Sequence, residues 1–216
     1  MPYLTKCTPD PEPLDCRILT AALDLFVENG YHNVSVHEIQ KRADVSIGSI
    51  YKHFGGKEGI AQALYIHILG EIEQLVETLI AEHNTPTRQC EAIVEALFRH
   101  TETHKNIIAY VFHAKHSEFL KDQPPIFETS PFLKMQAIIE RGMELGEFAQ
   151  TDIWITTSSI FGSMAKLIQL RLDGVVSRPL PEYSEQFLKT IWNGNISRNT
   201  ALVNAGKKLD LKQVDA

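Results

Sequence analysis

The chain has 216 residues, 44% of them hydrophobic and 22% charged, with 21 basic and 27 acidic side chains and a formal charge of −6. That is the make-up of an ordinary soluble globular protein with room for one large or two modest domains. No membrane span, signal-peptide leader or disulfide scaffold is expected: no apolar run approaches the ~20 residues a span requires, the first fifteen residues have no apolar core, and Cys7, Cys16 and Cys90 form no CxxC.

The opening residues, 1–13, carry Pro2, Pro9, Pro11 and Pro13 and few large apolar side chains, and are expected to form a disordered arm. Periodicity then becomes helical nearly throughout. Ile18, Ala22, Leu25 and Phe26 share one face of a helix expected from Asp15 to the Asn29-Gly30 stop. Ser35 with Glu38 three residues on is a capping-box pattern, in which hydroxyl and carboxylate satisfy each other's backbone amides. It opens a short helix with Val36, Ile39 and Ala43 inward. After Asp44-Val45, Ser46 caps a third helix to about Lys52, and Gly55-Gly56 end it. Two short helices separated by a tight turn make a helix-turn-helix arrangement.

A long helix is expected from 57 to 81, with Ile60, Leu64, Ile68, Ile72, Leu75 and Leu79 along one side. Thr85-Pro86 and Ser130-Pro131 place a hydroxyl before a proline, a helix-start signal, for helices 86–103 and 131–146. Others fit 105–119, 152–172 and 182–193. The class is all-α with about nine helices. Its divisions are a helix-turn-helix domain (14–57), a larger helical bundle (58–196) and a polar tail (197–216).

The charge is unevenly placed. Residues 41–57 hold Lys41, Arg42, Lys52 and Lys57 against Asp44 alone, a local +3 in an acidic chain. In the same window, 45–59 reads VSIGSIYKHFGGKEG. Val45, Ile50 and Phe54 can face inward. Ser46, Gly48 and Ser49 keep the other face slim enough for the backbone to approach a duplex, and Tyr51 and His53 can donate to phosphates. Lys57 stands at a helix N-terminus, where cation and free N–H groups act together on an anion.

The stretch TAALDLFVENGYHNVSVHEIQKRADVSIGSIYKHFGGKEGIAQAL, residues 20–64, resembles the DNA-binding domain of the tetracycline-repressor family. The likeness lies in Leu25-Phe26 before Asn29-Gly30-Tyr31, Ser35-Val36 before Ile39, Ala43-Asp44-Val45-Ser46, Gly48, Ile50-Tyr51, His53-Phe54 and Lys57-Glu58. It covers about a fifth of the chain, apart from IWNGN near the end.

The resemblance implies a dimeric repressor that binds a palindromic double-stranded DNA operator and releases it on binding an effector. It implies phosphate contacts at Ser35, Tyr51, His53 and Lys57, and base-facing positions at Ser46, Ile47, Gly48, Ser49 and Lys52. Ile47 is apolar where polar readers are usual, and it either packs in the core or touches a thymine methyl. Lys52 is then the hydrogen-bonding reader. The homodimer is expected through helices 152–172 and 182–193, because TTSSIFGSMAKLIQL (156–170) combines small residues with large apolar ones.

A small apolar or amphipathic effector would need a mostly apolar pocket with a few polar groups. The candidates are Tyr65, Leu97, His100, His104, Ile108, Tyr110, Met135, Ile138, Arg141, Trp154 and Phe161. No cofactor is implied, and the expected location is the cytoplasm.

Two other readings compete. His100/His104 and His113/His116 have helix-face spacing and with Glu118 could hold zinc, though no cysteine or carboxylate cluster completes the set. Ser163 and Lys166 match a serine-x-x-lysine spacing without its companion elements. A third possibility is a binding protein that keeps the domain without DNA affinity.

Overall fold

The computed structural model describes residues 3–4, 12–113, 116, 119–120 and 123–195. The polar tail, Cys7 and Glu118 lie outside them. Among the described residues the chain forms nine α-helices. The first three are α1 (Leu14–Asn29), α2 (Val36–Ala43) and α3 (Ile47–Phe54), and the long α4 (Lys57–Glu82) follows. Behind it come α5 (Pro86–Thr103), α6 (Lys105–His113) and α7 (Ser130–Glu144). Last are α8 (153–172), continuous through a π-helical segment at Ser158–Gly162, and α9 (Ser184–Asn195).

Local chemistry sets the first three helices. Ser35 accepts from the Glu38 amide while the Glu38 carboxylate takes the Ser35 N–H at 2.7 Å, completing the capping box. Ser46 accepts from the Ser49 amide at 3.1 Å and starts α3. Between them Asp44 is left-handed, with φ 52°. Arg17 on α1 holds that turn by donating to the carbonyls of Ala43 (2.7 Å) and Asp44 (2.6 Å). At the far end of α3, a Cβ on Gly59 would stand 1.7 Å from the Phe54 carbonyl oxygen. Only glycine lets α4 begin so close to the end of α3.

One core runs from Ile18 on α1 to Ile191 on α9. Ile60, Leu64, Ile68, Ile72 and Val76 of α4 are all but inaccessible. Both α4 and α6 pack against α1, so the three-helix unit sits directly on the bundle. Polar ties fix the far side. Glu102 on α5 receives Arg171 through Nε (2.9 Å) and Nη2 (2.8 Å), and also the Leu180 N–H (3.0 Å). The Trp192 indole donates to Glu91 and stacks on Phe148.

The structure departs from the sequence reading at several ends. Tyr3 and Leu4 of the expected free arm lie against α4. Leu4 is buried and its N–H donates to the buried Glu71 carboxylate at 2.9 Å, while Tyr3 meets the His67 ring edge-on. Helix α6 stops at His113, short of 119; beyond it the chain turns so that Phe119 stacks on Tyr31 at 4.3 Å. Ser130 is inside α7 with its hydroxyl on Glu73 of α4, and Thr129 takes the N-cap position. A 3₁₀ turn at Leu180–Tyr183 delays α9 to Ser184.

Candidate nucleic-acid interface and effector cleft

Helix α3 has two distinct sides. Ile50 is fully buried, and Val45 and Phe54 pack against the core. Ser46, Gly48, Tyr51, Lys52 and His53 are exposed, and Ile47 and Ser49 half-buried. Tyr51 is 55% exposed, so its ring does not close the small core. A Cβ on Gly48 would meet nothing nearer than the Ser46 hydroxyl at 3.9 Å. No internal packing therefore asks for glycine there, although it weakens a short helix by ~1 kcal/mol relative to alanine. Ser35 is exposed and engaged with Glu38, whose carboxyl these hydrogen bonds hold below its ordinary range.

The cationic window is less uniform in space than in sequence. Arg42 pairs with Glu28 of α1 at 3.0 Å. Lys57 turns inward: its ammonium donates to the carbonyls of Tyr31 (3.1 Å) and Val34 (2.9 Å) and lies 4.3 Å from the centre of the Tyr31 ring. Two of its three N–H donors are thus spent inside the chain. Lys41 on α2 and Lys52 and His53 on α3 remain exposed. The electrostatic footprint is narrower than +3 suggests.

The expected effector residues do not share one site. Met135, Trp154 and Phe161 do come together, lining a cleft of about 270 Å³ between α7 and α8. Phe127, Phe132, Gln136, Thr157, Ser158 and Gly162 complete its walls. Leu97, Ile108, Ile138, Tyr65 and Tyr110 are core residues. Arg141 donates to Gln89. His100 and His104 meet each other, Nδ1 to Nδ1 at 3.0 Å. A second, more open cleft of about 430 Å³ lies between α1 and α6, lined by Phe26, Tyr31, Asn33, Tyr110, His113 and Phe119 among others. The sequence reading missed Phe127 and Thr157. The sequence carries no signal for either, because which side chains line a cleft is set by how the helices pack.

The histidines do not assemble. His113 pairs with Asp173 at 3.0 Å, while His116 lies between the rings of Tyr65 and Tyr110. Among the described residues no three metal-ligating side chains gather. Ser163 donates to the Ser159 carbonyl one turn back, the ordinary use of a helical serine.

Burial lowers both His100 and His116 to about 4, with the charges of His104 and Arg99 adding at His100 and a hydrogen bond to the Tyr110 carbonyl opposing at His116. The unfolded chain binds protons below about 6.5 that the folded protein refuses until about 4. Stability is therefore complete above pH 6.5 and declines as pH falls through that window, by up to about 1.4 kcal/mol per unit and histidine. Tm measured at successive pH values should drop from pH 7 to 5, and His100→Gln should flatten the drop; a Tm constant over that range would contradict it.

The fold and the slim exposed helix define a helix-turn-helix DNA-binding regulator. Residues 18–64 match the model of bacterial regulatory proteins, tetR family. Over 159 residues the chain is 26% identical to the fatty acid metabolism regulator protein of Bacillus subtilis (strain 168), a match spanning 72% of this chain and 82% of that one. It is 40% identical over 57 residues to the HTH-type transcriptional regulator UidR of Escherichia coli (strain K12), covering 26% of this chain and 29% of UidR. The solved structure of the transcriptional regulator FadR from Bacillus subtilis, in complex with stearoyl-CoA, superposes with a TM-score of 0.71 at 23% identity over 81% of this chain and 96% of FadR, a likeness of fold. The helix-turn-helix unit of the chain is that of the tetR family of bacterial regulatory proteins. Its relatives are transcriptional regulators, and among the described residues no helix is long and apolar enough to cross a membrane.

Proposed function

We propose that the chain is a cytoplasmic repressor that binds a palindromic operator as a homodimer and releases it when a small apolar or amphipathic effector enters the helical bundle. The observation that carries this reading is the outer side of α3. There Gly48 leaves open space over the backbone, with Ser46, Tyr51, Lys52 and His53 exposed around it. A major-groove helix needs backbone access to base edges and polar side chains within reach of phosphates. Ser46, Ile47, Ser49 and Lys52 are the proposed base-facing positions, and Ser35, Tyr51 and His53 the phosphate contacts.

Pairing through α8 and α9 would present two copies of α3 about 34–36 Å apart, one duplex turn. Ile155 supports this: it is 66% exposed on α8, with exposed Ser163 further along the same helix, a surface that a second copy would cover. An apolar effector is supported by the α7–α8 cleft and by the acyl-CoA held in the Bacillus subtilis structure.

Selection from random duplex DNA tests the reading directly. The expected winner is a palindrome with half-sites one turn apart. Its affinity should fall by about tenfold or more between roughly 50 and 200 mM salt, through counterion release. Failure to enrich any sequence would refute the reading.

A further inference from the structure

Hydroxyls inside α-helices commonly donate to the carbonyl four residues back. This chain does so repeatedly: Thr78 to Gln74, Thr101 to Leu97, Thr103 to Arg99 and Thr190 to Gln186. Thr157 departs from the pattern. Its Oγ1 is buried and has no hydrogen-bond partner. It lies immediately before the π-helical segment Ser158–Gly162, and such wide turns are frequent at functional sites. It also lines the α7–α8 cleft, beside Phe127, Phe132, Met135, Trp154 and Phe161. An orphaned buried hydroxyl is costly unless something satisfies it. Thr157 lines a cleft of about 270 Å³ walled by aromatic rings, and a turn about its Cα–Cβ bond is what would bring the hydroxyl to face it.

We propose that this cleft is the effector site and that it takes a neutral, largely apolar molecule bearing one hydroxyl or carbonyl oxygen, which bonds to Thr157. This inference rests on the reading of the chain as an effector-responsive regulator and specifies that effector's chemistry. Neutrality follows from the lining, which among the described residues has no lysine, arginine or histidine and so nothing to compensate a buried carboxylate or phosphate. Any charged part of the ligand stays in solvent beside Trp154, which lines the cleft and is 56% exposed.

The probes are 1-decanol and decanoate at pH 8, titrated into the full chain by calorimetry, with tryptophan emission reporting the site. Decanol should bind and shift the emission to the blue, and Trp154→Phe should remove that shift. Decanoate should bind at least about tenfold more weakly. Thr157→Val keeps the shape and deletes the hydroxyl. It should weaken decanol about fivefold and raise the ligand-free Tm by roughly 2 °C or more, because an unsatisfied buried group is gone. A purely structural threonine would lower Tm instead. Equal binding of both probes, an unchanged decanol affinity in Thr157→Val, a lowered Tm, or no binding of either probe overturns the proposal. Duplex binding measured on the same samples separates the two readings: intact DNA binding with no decanol binding removes this cleft alone, and the reverse removes the DNA role alone.

Discussion

Gly48→Leu is expected to abolish operator binding, by at least about a hundredfold, in a protein that melts no lower than the parent. A side chain at 48 points into open space, and the nearest heavy atom to its Cβ is the Ser46 hydroxyl at 3.9 Å. No clash is created, and leucine favours helix over glycine by close to 1 kcal/mol. On a duplex the same side chain would stand between the backbone of α3 and the base edges. It would lift the helix away and lose several contacts, each of which is worth about 1–3 kcal/mol of discrimination. Gly48→Ala should raise stability by a similar amount and fall between the two in affinity. Fluorescence anisotropy with the selected operator and thermal melts of the same samples give both numbers. A Gly48→Leu protein that binds the operator at parental affinity would show that α3 does not enter the groove.

How far this was readable in the sequence depended on the range of the interaction. The capping box of Ser35 and Glu38, the Ser46 cap and the glycine stop at Gly55 each involve residues within a few positions of one another. Their chemistry is complete in the local sequence, and the helix-turn-helix unit follows from it. Gly48 was legible for the same reason, as a weak helix former with no turn to make. The Arg42–Glu28 pair spans two helices, and the Lys57 ammonium reaches back to Tyr31 and Val34. Counting charges along the chain could place four cations together but could not say which ones face outward. The effector cleft was legible only in part. Met135, Trp154 and Phe161 were chosen for apolar bulk and do share a wall, whereas Tyr65 and Tyr110, chosen on the same ground, fill the core. Apolar side chains suit a pocket and a core equally well, and only packing decides between them. Thr157 stood out once the hydrogen bonds of the other helical threonines gave it a contrast.

Lys57→Met carries the second large effect, and it separates two roles that the position could have. As a phosphate contact, its loss would weaken DNA binding, reduce the salt slope by about one and leave the free protein untouched. The geometry argues for a structural role. The ammonium joins the carbonyls of Tyr31 and Val34, on the segment that leads into the Ser35 cap, and it lies over the Tyr31 ring. That ring is stacked in turn on Phe119, beyond α6, with an interplanar angle of 13°. Lys57 therefore ties three things at one point: the start of α4, the approach to α2, and the aromatic contact between bundle and DNA-binding unit. Methionine keeps the apolar stem against Tyr31 and removes the charge, leaving two carbonyls without their donor. Hydrogen bonds to charged groups contribute about 1.5–3 kcal/mol each, so a stability loss of about 3 kcal/mol is expected in denaturant melts. Operator affinity should fall with it, because a loosened approach to α2 no longer holds α3 in place, yet the salt slope should keep its parental value. An unchanged melt together with a shallower salt slope would return Lys57 to the phosphate backbone and leave the Tyr31 stack without its anchor.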